Sequence, residues 1–332
     1  MPPPARRFVH RPRFAVDSKF LPRGSCSVLL WLCSLLAVAA GEVVPRMLLL
    51  DGALAGEAIV AVGERGTILR STDRAQTWRS VAAPTRATLT GVSFAPDGRQ
   101  GWAVGHDAII LATVDGGLTW SRQFQGESLQ DSFLDVVAID GTHAIAVGAY
   151  GLFLTTADGG RNWERQPAVA GDFHLNRITR GPTGTLYLAG ESGTLLRSRD
   201  SGRTWNPIPT PYEGSFYGIA PISNSTLLAY GLRGHAYRSI DDGAHWDLIA
   251  VPEPVMLATA ASTSGTVIWF AGQARTLLTS RDGGKTMVKS DGAPATAIAE
   301  LVPLAPGLLL AFGEAGVTRL ELPVGVVASS PR

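Results

Sequence analysis

The chain has 332 residues, of which 45% are apolar and 17% charged, a balance that excludes a disordered tail and a coiled coil. Its 38 Gly and 21 Pro follow no collagen period, and its formal net charge of +1 conceals an uneven distribution. Length alone suits two domains.

The unevenness begins at the N-terminus. Residues 1–25 hold Arg6, Arg7, Arg11, Arg13, Lys19 and Arg23 against a single acid, Asp17. An apolar run from Ser27 to Ala40 follows, ending in Ala37-Val38-Ala39. A basic segment, a short apolar core and an Ala-x-Ala end predict a secretory signal over residues 1–40, cleaved near Ala39. The run falls short of the roughly 20 apolar residues of a membrane-spanning helix, which makes an uncleaved anchor the weaker alternative. No lipobox-like cysteine follows, and Arg6-Arg7 lacks the surroundings of a twin-arginine signal. The expected location is exported and periplasmic.

The remaining chain carries 23 basic and 27 acidic residues, a net charge of −4, and neither cysteine, since Cys26 and Cys33 both lie in the leader. This excludes a disulfide, a thiolate metal site and a cysteine nucleophile from the exported protein. Without a basic tract, a nucleic-acid partner is not expected.

Residues 41–332 are periodic. An apolar strand ends in Gly, a turn of two or three residues follows, and a second apolar strand begins. The terminal glycines are Gly63, Gly105, Gly148, Gly190, Gly231, Gly272 and Gly313, at spacings of 42, 43, 42, 41, 41 and 41. A second motif follows in six of the seven copies. It runs Ser71–Trp78 around Asp73, Thr113–Trp120 around Asp115, and Thr156–Trp163 around Asp158. It continues as Ser198–Trp205 around Asp200, Ser239–Trp246 around Asp241, and Ser280–Met287 around Asp282. This is the Asp-box of BNR-repeat propellers. Its carboxylate is expected to accept turn amides that have no ladder partner, while Gly permits positive φ and Trp packs between neighbouring blades. The motif is read as a folding device, not as a catalytic acid. Ala75 stands where Gly is usual and Met287 replaces Trp, so boxes one and six are expected to be looser.

An inner strand precedes each Gly strand: Leu89–Phe94, Phe133–Ala138, Leu175–Thr179, Phe216–Ala220, Leu257–Ala261 and Ile298–Val302. A short outer strand begins at each box Trp. Four strands in about 42 residues make a propeller blade, and seven such units close a ring. The fold class is therefore all-β, a seven-bladed β-propeller of antiparallel blades, with residues 41–332 forming a single domain and the chain a monomer. Blade seven lacks a box and ends near Leu322. Its outer strand is expected from Glu42–Arg46 or, less favourably because of Pro323 and Gly325, from Val324–Ser329.

In such blades the box turns lie on one face, with the other turns between Gly strand and box strand on the opposite face. The connectors Ala83–Thr88, Phe124–Ser132, Pro167–His174, Pro207–Ser215 and Val251–Val255 share that opposite face. Loops on a rigid scaffold are where binding groups gather. The candidate partner-binding residues there are Arg65, Arg86, His106, Tyr150, His174, Tyr212, Arg233 and Arg275, together with Asp172 and Glu213. The arginines suit a partner's carboxylates or phosphates. Catalysis is not expected. A sialidase-like glycoside hydrolase or a glycan-binding propeller is the alternative, but an Arg-Ile-Pro-type motif is missing, and the adjacency of Tyr212 and Glu213 does not make a nucleophile and base. The six His show no metal-ligand spacing, Asp241-Asp242-Gly243 lacks the remaining oxygens of a calcium loop, and no cofactor motif is present.

Three stretches carry a further resemblance. They are Val62–Asp73, Phe94–Asp107 with Gly101-Trp102-Ala103-Val104-Gly105, and Ala189–Ser198 leading into Asp200. From about Leu48 to Leu322 the chain resembles the photosystem II stability/assembly factor family. The resemblance implies an exported, non-catalytic seven-bladed propeller. It also implies a protein partner among the subunits or assembly intermediates of a membrane complex, photosystem II itself where the source is phototrophic. In phototrophs the family resides in the thylakoid lumen. The family's arginine-rich surface maps here onto Arg65, Arg233 and Arg275.

Overall fold

The computed structural model describes residues 47–128, 131–167, 169–264, 266–305 and 307–321. The proposed leader and both candidates for an outer strand of blade seven lie outside them.

The described residues form seven antiparallel sheets, six of four strands and one of three, each pairing its strands in chain order. The described residues all belong to this one repeating architecture. The inner strands run Leu49–Ala55, Leu89–Phe94, Phe133–Ala138, Leu175–Arg180, Phe216–Pro221, Leu257–Ser264 and Ile298–Ala305. The later ones extend past their sequence-based ends because each pairs to the base of the next strand, as Arg180 does with Leu186.

Five of the seven second strands are buried from end to end, as in Ala58–Gly63 and Gly101–Gly105, and the last two all but their first residue, because a neighbouring blade covers each of their faces. This explains the continuous apolar runs; a sheet with one wet face would alternate instead. The terminal Gly of these runs reflects close approach. A Cβ on Gly63 would stand 2.1 Å from the Leu48 carbonyl oxygen, and one on Gly105 2.1 Å from that of Thr88. Both carbonyls accept the next residue's amide, from Glu64 at 3.0 Å and His106 at 2.9 Å. Outer strands are short and exposed, such as Glu164–Arg165 and Asp247–Leu248, which limits the edge available for aggregation.

The six Asp-boxes are built alike. In box two the Thr113 hydroxyl donates to Asp115 Oδ1 at 2.7 Å and accepts the Gly117 amide at 3.0 Å. Asp115 Oδ1 accepts the amides of Leu118 and Thr119, and Oδ2 accepts the Thr119 hydroxyl at 2.6 Å. Boxes one and six are not looser. Ala75 adopts φ 62° and still donates to the Ser71 hydroxyl at 3.0 Å. Met287 is 6% exposed and packs with Leu228 and Tyr230 of blade five. The hydroxyl–carboxylate pair defines the turn, while the flexible thioether fills the space of the ring.

Box tryptophans reach the preceding blade. Trp163 meets Trp102 edge-on at 6.4 Å, and Trp205 meets Phe153 at 6.0 Å. Ring closure repeats the contact, since Trp78 of blade one stands 6.1 Å from Phe312 of blade seven. Leu49, Ile59 and Ala61 share one core with Leu310 and Phe312.

Removing the buried box hydroxyl without changing side-chain shape tests this account. Thr113→Val leaves the Gly117 amide and Asp115 without their partner and is expected to cost about 1–3 kcal/mol, read from urea unfolding at pH 7. An unchanged midpoint would show that the carboxylate alone holds the turn.

Candidate protein-binding face and central channel

The face opposite the Asp-boxes is formed by the turns between second and third strands and by the blade connectors. Arg65, Tyr150 and Arg233 occupy one equivalent position in one-turn helices at Glu64–Gly66, Ala149–Gly151 and Leu232–Gly234, at φ 54°, 53° and 55°. Asp107 and Ser192 hold that position in blades two and four, also with positive φ. Arg275, at φ 62°, stands one residue further along, where Gly66, Gly151, Gly193 and Gly234 stand in other blades. A side chain held left-handed costs about 1–2 kcal/mol against ordinary backbone; the Asp-box turns carry the same conformation at Arg74, Ala75, Ser201 and Asp242, so what marks the opposite face is the residue types held there.

The connectors lie over these turns. The Gly151 amide donates to the Phe173 carbonyl at 3.0 Å, and that of Gly193 to the Gly214 carbonyl at 2.8 Å. This joins several of the sequence-derived candidates. Tyr150, 65% exposed, meets the His174 ring edge-on at 4.8 Å. Tyr212 stacks on His235 at 4.3 Å; burial raises its hydroxyl pKa, opposed by the Arg233 charge. Arg86 adjoins the Arg65 turn, since a Cβ on Gly66 would lie 3.3 Å from its Cα. His106, Asp172 and Glu213 are exposed on the same face. Arg233 and Arg275 lie in adjacent blades five and six, whereas Arg65 lies beyond blade seven, whose turn carries Glu314. The arginines therefore span an arc and do not line one pocket. His235 was missed by the sequence reading, although it immediately follows the Arg233 turn.

A second constellation, also missed, lies at the centre of the ring. Every inner strand carries an irregularity at its second residue, and the residue after it is Asp51, Gly91, Asp135, Arg177, Gly218, Thr259 or Glu300. Four of these meet. Arg177 pairs with Glu300 across the ring and lies 3.8 Å from Asp51 and 3.7 Å from Asp135. The three carboxylates are between 6% and 7% exposed. Asp51 Oδ2 accepts the Val92 amide at 2.7 Å and Asp135 Oδ2 the Ile178 amide at 2.9 Å, each from the following blade. Glu300 accepts the Thr259 hydroxyl at 3.0 Å, and that hydroxyl accepts the Leu301 amide. Aligning the repeats on Leu49, Leu89, Phe133 and Leu175 exposes this register, but not that its members meet.

Burial pushes the Asp135 carboxyl up to about 6, against the pull of Arg177 and two backbone amides. Burial likewise raises Asp51 well above the usual range, again opposed by Arg177. Box carboxylates go the other way. The hydroxyl and amide of Thr77 hold Asp73 at about 2, and those of Thr204 do the same for Asp200.

A ring of antiparallel blades tied by Asp-box turns defines a seven-bladed β-propeller of the Asp-box class. Comparison with known proteins narrows the class. Residues 69–171 match the family model described as photosynthesis system II assembly factor YCF48. Photosystem II assembly protein Ycf48 of Thermosynechococcus vestitus is 29% identical over 259 residues, covering 63% of this chain and 74% of that protein. A solved structure of YCF48 bound to a D1 peptide superposes with a TM-score of 0.69 at 23% identity, covering 83% of this chain and 94% of that one. YCF48 from Cyanidioschyzon merolae gives 0.70 at 19% identity, covering 85% and 97%. The chain is a seven-bladed propeller similar to the photosystem II assembly factors, in agreement with the resemblance read from its motifs.

The opposed carboxyl shifts predict a stability optimum. Box aspartates with depressed values lend stability above their unfolded pKa that is lost as pH falls from about 4 to about 2. Asp135, raised in the folded state, binds its proton more tightly there, so stability falls as pH rises from about 4 to about 6. Urea unfolding across pH 2–7 should therefore peak between about pH 4 and 5, and Asp135→Asn should flatten the upper limb. Stability rising steadily to pH 7 would contradict the assigned Asp135 environment.

Proposed function

We propose that this chain is exported and acts as a non-catalytic, protein-binding assembly factor whose contact surface is the turn-and-connector face. The observation that carries this reading is the row of left-handed turns bearing Arg65, Tyr150, Arg233 and Arg275. Four side chains suited to binding are held outward in a backbone conformation that glycine would adopt with less strain. Arginine forks with flanking Tyr and His rings suit a peptide bearing carboxylates and apolar side chains. The assembly-factor relatives, and the D1 peptide bound by a protein of the same fold, support a photosystem II subunit as partner in a phototrophic source. The hydrolase alternative gains nothing from the channel, where the three carboxylates are already bonded to amides, to Thr259 and to Arg177.

Glycine replacements preserve the turn conformation while removing the side chains. Arg65→Gly, Arg233→Gly and Arg275→Gly together should leave the melting temperature nearly unchanged and weaken binding of the D1 peptide at least about tenfold, equivalent to about 1.4 kcal/mol. Calorimetric titration reads both affinity and salt dependence, which should fall together in the variant. Undiminished affinity in the folded variant would move the contact elsewhere.

A further inference from the structure

Five of the six Asp-box turns are tied to the preceding blade by the same kind of bond. The carbonyl of the residue after the box aspartate accepts a hydrogen bond from a side chain of the blade before it. Arg74 O accepts from Arg319 Nη1 at 2.7 Å, Gly116 O from Arg70 Nε at 2.8 Å, and Gly159 O from Gln123 Nε2 at 2.8 Å. Asp242 O accepts from Arg197 Nη1 at 2.8 Å and Gly283 O from Arg238 Nε at 2.7 Å. Four of these donors are guanidinium groups. Their arginines share one register of the third strand, opposite Leu310, Val60, Tyr187 and Leu228.

In blade three that register holds Thr155, opposite Ile145. The turn it faces belongs to box four, Asp200-Ser201-Gly202. Threonine lacks the stem that carries an arginine head across to the next blade, and the Thr155 hydroxyl accepts instead from Gln166 Nε2 at 2.9 Å. In place of a guanidinium there is a cleft of about 800 Å3, lined by Thr155, Gln166, Ser201, Gly202, Trp205 and Asp140. Blade two also lacks the arginine, having Ala112, but Gln123 from its outer strand supplies the bond there. Between blades three and four no described side chain donates to Ser201 O.

We propose that this cleft binds an arginine side chain presented by a protein partner, with Ser201 O accepting from the guanidinium as four other box carbonyls do within the chain. The molecule thus specifies its own ligand chemistry: a planar donor carried on an apolar stem that lies against a neighbouring blade. Asp140 adds negative charge, shared with His143 of the same cleft, whose Nδ1 lies 2.9 Å from Asp140 Oδ2. Burial works against its ionisation, but the amide and hydroxyl of Thr142 hold its carboxyl well below the usual range. The opposing charge of Arg203, also at the cleft, is exposed and screened by solvent. The cleft is much larger than one guanidinium group, which suits an arginine on a peptide better than a free ion. It opens on the Asp-box face, away from Arg65 and Arg233, and is independent of the contact proposed for that side.

The test uses the full chain and the peptide acetyl-Ala-Arg-Ala-amide, with lysine and citrulline counterparts, followed by the backbone amide signals of Ser201 and Gly202. The arginine peptide should shift these signals with a Kd of about 1 mM or tighter, and the lysine and citrulline peptides should bind at least about tenfold more weakly. Thr155→Arg, which supplies the guanidinium from within, should hold or raise the melting temperature and abolish the shifts. Equal affinity for the citrulline or lysine peptide, or no shift at about 10 mM arginine peptide, would overturn the proposal. A folded Thr155→Arg chain that binds as before would overturn it too. If that variant does not fold, the three peptides on the native chain decide alone.

Discussion

The ring depends on side chains packed between sheets. Among the described residues no strand pairs across a blade boundary, so hydrogen-bond ladders stabilise each blade but not the ring. What joins the blades is the burial of the second strands and of the box ring that reaches back to the preceding blade, as Trp205 reaches Phe153 and Trp78 reaches Phe312. Dispersion and hydrophobic burial are non-directional, and on their own they would tolerate sliding of one sheet over another. Directional bonds at two radii remove that freedom.

Near the Asp-box turns the directional bond at four blade boundaries is the guanidinium on a box carbonyl, as between Arg238 and Gly283. At the inner radius a carboxylate accepts the following blade's amide, as Asp51 does from Val92 and Asp135 from Ile178. Burying three carboxylates is costly unless hydrogen bonds and an opposite charge compensate. Arg177 supplies that charge by reaching from blade four to blades one, three and seven. The same group that tightens the channel therefore ties distant parts of the circle together. The contrast with the turn face is chemical. There, charged side chains such as Arg65 and Arg275 are exposed to solvent.

Much of this was legible in the sequence because propellers repeat. The Gly period, the inner strands and the six boxes each recur in fixed register, and copies reinforce one another where a single match would be weak. The residues that make individual blades different were harder to read. Thr155 is an ordinary strand residue until Arg70, Arg197, Arg238 and Arg319 are seen to share its register and to perform one task. Ala75 and Met287 looked like defects because the motif was read by residue type; the structure shows that the hydroxyl–carboxylate geometry tolerates both. Gln123 replaces an arginine from a different strand, which no alignment of third strands would reveal.

The sequence by itself determined the blade: strand alternation with turns, burial of the second strand, and the box are local consequences of residue chemistry within about 42 positions. Tertiary structure decided whatever depends on blades far apart in the chain. Only ring closure brings Arg177 onto Glu300, 123 residues away, and Arg319 onto the Arg74 carbonyl, 245 residues away. Only the stacking of blade three on blade four turns the missing arginine at Thr155 into a cleft. Local periodicity states how each sheet is made. The angle at which one sheet meets the next, set by packing, selects which residues become neighbours.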